Sequence, residues 1–375
     1  MGFVGFSVFE MICKKSIKIY SIFLWFLLFV GYCYLTVLWA PSVENATKLT
    51  TTFIQLIFVI LCLTNRIKKN EDIERILLYI IISLVYTAIV LLIKTPADVW
   101  GSERIGQEIG MNSNDIGFRF AIGILLSFFF VSHRKKYVFI LAIIGFFALV
   151  MFSGSRKGLI MSTIGLALCI VFSGNKKSGG KAFFNKLIKI LLAAIAVFII
   201  LKIVMNNKMF YDVIGFRMES LFSAINGKSS GDASIVEREF LKEQAWQLFL
   251  HNPVLGYGHN CFSNYLQSIN YGFLTYTHNN YLELLSALGV VGFLIYYSMI
   301  FSMIFNLFKI GLEKIKTNSK LLFIISLIII LVCFISWWQV NYYSKFLIVI
   351  YCITYMFIKV NKSERVLEDE RKQSS

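Results

Sequence analysis

Two short stretches of the chain combine side chains that could do chemistry. The first is Ser153-Gly-Ser-Arg-Lys-Gly158, a glycine turn in which Arg156 and Lys157 open an apolar run. A guanidinium fork fits phosphate oxygens two at a time, and helix N-termini attract anions. The second runs His278-Asn-Asn-Tyr-Leu-Glu-Leu-Leu-Ser-Ala-Leu-Gly-Val-Val-Gly292. A neutral imidazole, with an ordinary pKa near ~6.5, can accept a proton from a hydroxyl. At about 100° per residue, His278, Leu282, Leu285, Gly289 and Gly292 share one helix face, and the two glycines would admit a neighbouring helix. Each stretch has a plainer alternative. The turn could simply let two cations snorkel to water, and a lone histidine is more often a satisfied polar residue than a catalyst.

The elements that must position these residues follow from composition. Of 375 residues, 57% are hydrophobic and 15% charged, with three prolines. The mean hydropathy is +0.71. Soluble domains carry about 25% charged residues, and disorder needs low hydrophobicity, so both classes are excluded. The apolar runs are continuous rather than alternating, which predicts an all-α polytopic membrane protein and not a β-barrel. Ten candidate spans cover about 18–39, 49–64, 75–94, 117–132, 137–153, 159–173, 187–205, 281–307, 321–338 and 346–359. The first lacks a small-residue cleavage site and is expected to be retained as a span. The chain is expected to form a single transmembrane domain over 1–375, ending in a cytoplasmic tail at 360–375.

Lysine and arginine set the orientation. With both termini in the cytoplasm, the inner face takes Lys14, Lys15 and Lys18, the loop from Arg66 to Arg75, and the turn Arg134-Lys135-Lys136. It also takes the loops Lys176–Lys189 and Lys309–Lys320 and the C-terminal tail. The net charge of +16 is thus topological and does not imply nucleic acid. Residues 206–280, between spans seven and eight, then form a large extracytoplasmic loop. Its aromatic content predicts a folded cap. Ser234-Ile-Val-Glu237 reads as a capping box opening a helix to about His251, before Pro253. Leu241, Ala245 and Leu248 form its apolar stripe, and Arg238 and Lys242 share another face. That face reads either as a solvated side or as a lid turning cations toward an anionic head group.

On this topology Arg104, Arg119, Arg156, Lys157, Arg217 and Arg238 lie outside, against the positive-inside tendency, and therefore need a reason. No span carries a charge near its centre, which argues against an ion-coupled pump. Gly174 to Lys181 only approaches a phosphate-binding loop, with Gly180 where the lysine belongs. No DxD pair stands outside. The seven cysteines show no metal-ligand spacing.

With these residues in place, the sequence resembles the O-antigen ligase and O-antigen polymerase (Wzy-type) family. Histidine, asparagine, nine residues, glycine, two residues and glycine is its signature, matched by His278, Asn279, Gly289 and Gly292. Arg104-Ile-Gly106 with Asn112-Ser-Asn114-Asp-Ile-Gly117 resembles its arginine–glycine–asparagine stretch, and Ser155-Arg156 its serine–arginine turn. Arg217-Met-Glu-Ser-Leu221 resembles its arginine-x3-leucine element. Ser234 to Trp246, Asn252-Pro-Val-Leu-Gly-Tyr-Gly258 and Phe262 resemble its capped helix and proline–leucine–glycine turn. The likeness covers roughly residues 95–300. The family often has about twelve spans, against the ten counted here.

The resemblance implies a GT-C-like glycosyltransferase of the bacterial inner membrane, with no cofactor and no metal. Its donor would be a glycan on undecaprenyl diphosphate at the outer leaflet. Its acceptor would be another lipid-linked glycan (a polymerase of O-antigen or capsule) or lipid A-core (a ligase). Membrane lipids and a chain-length regulator protein are the further partners implied. Arg156, Arg217 and Arg238, with Lys157, Arg104 and Asn279, would hold the diphosphate and stabilise charge on the leaving group. His278 would be the base, with Glu219, Glu237 and Glu243 in reserve. Polymerase is the preferred reading because sequences of this pattern are more often polymerases. A lipid-glycan flippase is disfavoured, since the charge-free spans offer no polar path.

Overall fold

The computed structural model of the chain describes residues 17–172, 180–225, 233–272, 275–312 and 319–373. Lys14, Lys15, most of the Gly174–Lys181 segment and most of the basic loop between Lys309 and Lys320 lie outside the described residues. Among the described residues every regular element is helical. In chain order these are α1 (Ser21–Leu35), α2 (Val43–Thr47), α3 (Thr50–Arg66), α4 (Asn70–Lys94), α5 (Ser113–Arg134), α6 (Phe139–Phe152) and α7 (Arg156–Phe172). There follow α8 (Gly180–Asn206), α9 (Phe216–Ile225), α10 (Ala233–His251), α11 (Phe262–Ser268), α12 (Asn280–Leu312), α13 (Ser319–Ile335) and α14 (Lys345–Gln373). Among the described residues, six helical stretches are long and apolar enough to cross a membrane: Ser21–Leu38, Val43–Arg66, α4, α5, α12 and Lys345–Val366. α6 and α13 are apolar but shorter. The remaining expected spans, 159–173 and 187–205, also fall on helices, α7 and α8.

The chain divides into two compact units. One gathers the described residues up to Glu74, those from Val236 through α12, and those from Val332 onward; the other gathers Arg75 to Ile235 and α13 up to Leu331. The segment 206–280 is therefore shared between the units at Ile235 and Val236.

In the second unit α5 is the central helix, buried along most of its length. Asn112 caps its start by accepting the Asn114 N–H at 2.8 Å, and Lys135, in the left-handed conformation at φ 53°, ends it. α6 and α7 flank α5. A Cβ on Gly158 would stand 2.7 Å from the Gly117 carbonyl carbon, so α5 and α7 cross with backbone against backbone. Lipid tails are as apolar as leucine, so close packing of this kind, rather than water exclusion, holds spans together.

In the first unit, α1, α3, α12 and α14 pack around an aromatic centre. Phe29 meets Phe53, Tyr296 and Tyr342, with ring centroids 6.3, 5.1 and 6.2 Å away. The expected stripe on α10 is buried: Leu241, Ala245 and Leu248 form a small core with Phe262 and Leu266 of α11, and Leu282 packs against it. α10 is already helical at Ala233, so Ser234 sits within the first turn and not at the cap.

Candidate active site

The Ser153–Gly158 turn joins α6 to α7 in the second unit. Gly154 adopts φ 59°, which favours glycine, and a Cβ there would meet the Val213 carbonyl oxygen at 2.8 Å and Arg104 Cγ at 2.9 Å. Ser155, fully buried, accepts the Gly158 N–H at 3.2 Å and so caps α7. The turn carries Arg156 into α7, where its side chain is buried to 9% exposure.

One further arginine side chain, that of Arg104, and the main chain of Arg217 reach the same turn. Arg104 donates from Nε to the Ser153 carbonyl at 3.0 Å and from an Nη to Asn114 Oδ1 at 2.9 Å. Arg156 donates from an Nη to the Arg217 carbonyl at 3.0 Å, which ties the turn to α9. The Arg104 side chain and the Arg217 main chain thus meet the Arg156 turn from other parts of the sequence, with Lys157 half-buried next in line. Backbone carbonyls orient the Arg104 and Arg156 cations. Arg119 pairs with Asp115, one turn before it, at 2.8 Å. Glu219, exposed on α9, accepts the Tyr211 hydroxyl at 2.6 Å, and this bond holds the Tyr211 phenol above its ordinary pKa.

In the first unit, His278 stands just before α12 with φ 56°, in the left-handed region, its ring 4.3 Å from that of Tyr276. It is therefore a corner residue. The expected helical face running from His278 to Gly292 is corrected here, since α12 begins only at Asn280. Asn279 caps the helix through Oδ1, accepting the N–H groups of Tyr281 at 2.9 Å and Leu282 at 3.1 Å. Its Nδ2 is buried and without a hydrogen-bond partner.

Gly289 changes the expectation further. Its φ of 64° and ψ of −170° break α12 into two stretches. What approaches Gly289 is a loop and not a helix: a Cβ there would lie 2.2 Å from the Val254 carbonyl oxygen. The Asn252–Gly258 turn docks on the break. Val290 N–H donates to Pro253 at 2.8 Å, and Tyr257 and Gly258 N–H groups donate to Ser286 and Ala287, each at 2.9 Å. At Gly292 the expectation holds, for Tyr32 of α1 packs there and its hydroxyl donates to the Leu288 carbonyl at 3.1 Å.

Three buried groups fix the corner that were not anticipated. Glu283, 3% exposed, accepts the Thr277 N–H at 3.0 Å. Thr277 in turn donates its hydroxyl to the Asn279 carbonyl at 2.8 Å. Asn280 accepts the N–H groups of Asn341 at 2.8 Å and Tyr342 at 3.0 Å. The only hint of Glu283 in the sequence is a carboxylate in an otherwise apolar helix.

The other expected residues are placed as follows. Arg238 and Glu237 lie in the first turns of α10; Glu237 is exposed, with the Tyr271 hydroxyl at 3.5 Å. Lys242 pairs with Glu239 at 2.8 Å, so it is not turned out as a lid cation. Glu243 accepts from Gln247 at 2.9 Å. His259 is a structural residue: Nδ1 bonds the Ala46 carbonyl at 3.0 Å, Nε2 the Tyr342 hydroxyl at 3.2 Å, and burial pushes its pKa down to about 4. His251, exposed, bonds the Gln247 carbonyl at 2.7 Å. Among the described residues, no three His, Cys, Asp or Glu side chains gather closely enough to hold a metal ion.

Comparison with known proteins gives one family match: residues 140–297 match the family described as O-Antigen ligase. The matched segment contains both the Arg156 turn and the His278 corner. No curated protein matches the chain.

Proposed function

We propose, from the match of residues 140–297 to the O-Antigen ligase family, that the chain polymerises lipid-linked oligosaccharide repeat units. As a multi-pass membrane protein with this match, it is a membrane glycosyltransferase acting on lipid-linked glycans. The donor is a glycan on undecaprenyl diphosphate at the outer leaflet of the bacterial inner membrane, with both termini cytoplasmic and ten spans. The acceptor is a second lipid-linked glycan of O-antigen or capsule.

The observation that carries the reading is that the Arg104 and Arg156 guanidinium groups are both fixed at the Ser153–Gly158 turn by main-chain carbonyls, the second of them that of Arg217. When the glycosidic carbon–oxygen bond to the diphosphate breaks, negative charge builds on the leaving lipid diphosphate. Preorganised guanidinium groups stabilise that charge without reorganising. Arg238 and Lys157 add cationic character, and Asn279 offers its buried Nδ2 as a donor. The new bond forms from the acceptor hydroxyl oxygen, and its proton passes to His278. One displacement inverts the anomeric centre. Glu219 and Glu237 are the reserve bases; Glu219 is the weaker, being engaged by Tyr211. A chain-length regulator is the expected protein partner.

The second reading, transfer to lipid A-core, is favoured by the description of the matched family, O-Antigen ligase. An assay with purified lipid-linked repeat units separates the two. Chain growth without lipid A-core supports the polymerase; transfer only to lipid A-core overturns it. His278→Ala should lower turnover by about 10²–10⁴-fold with the protein still in the membrane. Wild-type polymer from that variant removes His278 from the mechanism. Labelling that put Arg156 and His278 on opposite faces of the bilayer would sink the whole reading.

A further inference from the structure

The far end of α12 carries a feature that glycosyl transfer does not use. α12 and α14 run in the same direction. At their starts, Asn280 accepts the N–H groups of Asn341 and Tyr342, just before α14. At their ends, Lys362 donates to Asn306 Oδ1 at 2.6 Å. Between them lies a cavity of about 310 Å³ lined by Asn306, Lys309, Ile310, Asn361, Lys362, Arg365 and Val366. Three of these seven side chains are cationic, and the lining has no carboxylate. Beside it, Phe305, Phe308 and Leu312 are 67%, 65% and 69% exposed, forming an apolar band on α12 next to the cations.

Distance separates this groove from the His278 corner. At ~1.5 Å per residue, the stretch from the break at Gly289 to Lys309 alone covers roughly 30 Å, about the ~30 Å thickness of the hydrocarbon core of a bilayer. The groove therefore lies at the opposite membrane surface. Exposed aromatic rings suit acyl chains, and the cations and amides above them suit a phosphate at head-group depth. Basic pockets between spanning helices bind anionic lipid head groups on this principle. An arginine and two lysines exceed what a zwitterionic head group needs.

We propose that the α12–α14 groove is a binding site for an anionic phospholipid of the leaflet bordering these helix ends. Lys309, Lys362 and Arg365 take the phosphate, the Asn306 and Asn361 amides line its edge, and Phe305 and Phe308 lie along the acyl chains. The occupant is distinct from the glycan donor and sits across the membrane from it.

The test uses the full chain in detergent, titrated with phosphatidylglycerol or with phosphatidylcholine of the same acyl chains and read by native mass spectrometry. Phosphatidylglycerol should be retained at least ~10-fold more strongly, and Lys362→Gln with Arg365→Gln should abolish that preference. Lys68→Gln with Lys69→Gln, which removes as much charge from another loop, should leave it unchanged. Thermal unfolding of each variant verifies that the fold is kept. Equal retention of the two lipids overturns the proposal, as does an unchanged preference in the groove variant. Inorganic phosphate displacing the lipid at equal concentration would make the ligand a soluble phosphate and overturn it too.

Discussion

The arginine turn and the histidine corner are built by opposite means. In the turn, charged side chains are held by backbone: Arg104 by the Ser153 carbonyl and Arg156 by the Arg217 carbonyl. In the corner, backbone is held by buried polar side chains: Thr277 by Glu283, the start of α12 by Asn279, and the Asn341–Tyr342 segment by Asn280. The first arrangement fixes the direction of two cations, which suits holding an anion. The second stiffens a left-handed residue so that one imidazole keeps its place.

After the loss expected of His278→Ala, the largest effect falls on the turn. Arg156→Ala removes a preorganised donor and should lower turnover by about 10²–10³-fold. Arg156→Lys keeps the charge and loses the fork, and should recover about tenfold of that loss. Equal effects of the two substitutions, measured in the same lipid-linked assay, would show that no bidentate contact is made there.

These two constructions also explain what could be read from the sequence. Arg104, Arg156 and Arg217 stood out because they break a sidedness tendency, and Gly154 because a glycine flanks them. The histidine was visible through its spacing to Gly289 and Gly292. The residues that hold it were not, because Asn280 and Glu283 look like ordinary polar residues at a helix start. The helical period misled at Gly289. Periodicity assumes an unbroken helix, and only the docking of the Pro253–Gly258 backbone calls for the break. The ten expected spans all fall on helices, yet among the described residues six meet the length and apolarity of a span, since short runs such as α6 carry too few residues.

The next effect compares the glycines of the two regions. At Gly289, alanine meets both a positive φ and a backbone oxygen at 2.2 Å. Gly289→Ala should destabilise the protein by about 3 kcal/mol. At Gly154 the clash is at 2.8 Å, and one of the close neighbours is the flexible Arg104 side chain. Gly154→Ala should cost about 2 kcal/mol. Thermal unfolding in detergent measures both, and a larger cost at Gly154 would reverse the ranking of rigidity.

The first unit also carries a pH dependence. Folded His259 has its pKa near 4, against about 6.5 when unfolded. Between these values the unfolded chain binds more protons, so stability rises with pH and is lost as pH falls from about 6.5 toward 4. The ring meets Ala46, Phe53 and Tyr342, and the main-chain N–H meets Thr36, none of them charged. The full difference is on the order of 3 kcal/mol. Unfolding scans at pH 7 and pH 5 should show a drop in the wild type and a smaller one in His259→Gln. Parallel drops would assign the effect to other groups.

The smallest effect tests whether the corner is held by geometry or by charge. Gln at position 283 keeps an oxygen that can accept the Thr277 N–H. Glu283→Gln should therefore lower turnover by about tenfold or less, with the acceptor KM nearly unchanged. Glu283→Ala leaves that buried N–H unpaired, which costs about 1–3 kcal/mol and releases the turn before His278. It should lower turnover further and reduce stability as well. If Gln proved as damaging as Ala, with the pH profile of turnover displaced, the carboxylate would act on the His278 imidazole through its charge. It would then do more than brace the backbone that carries it.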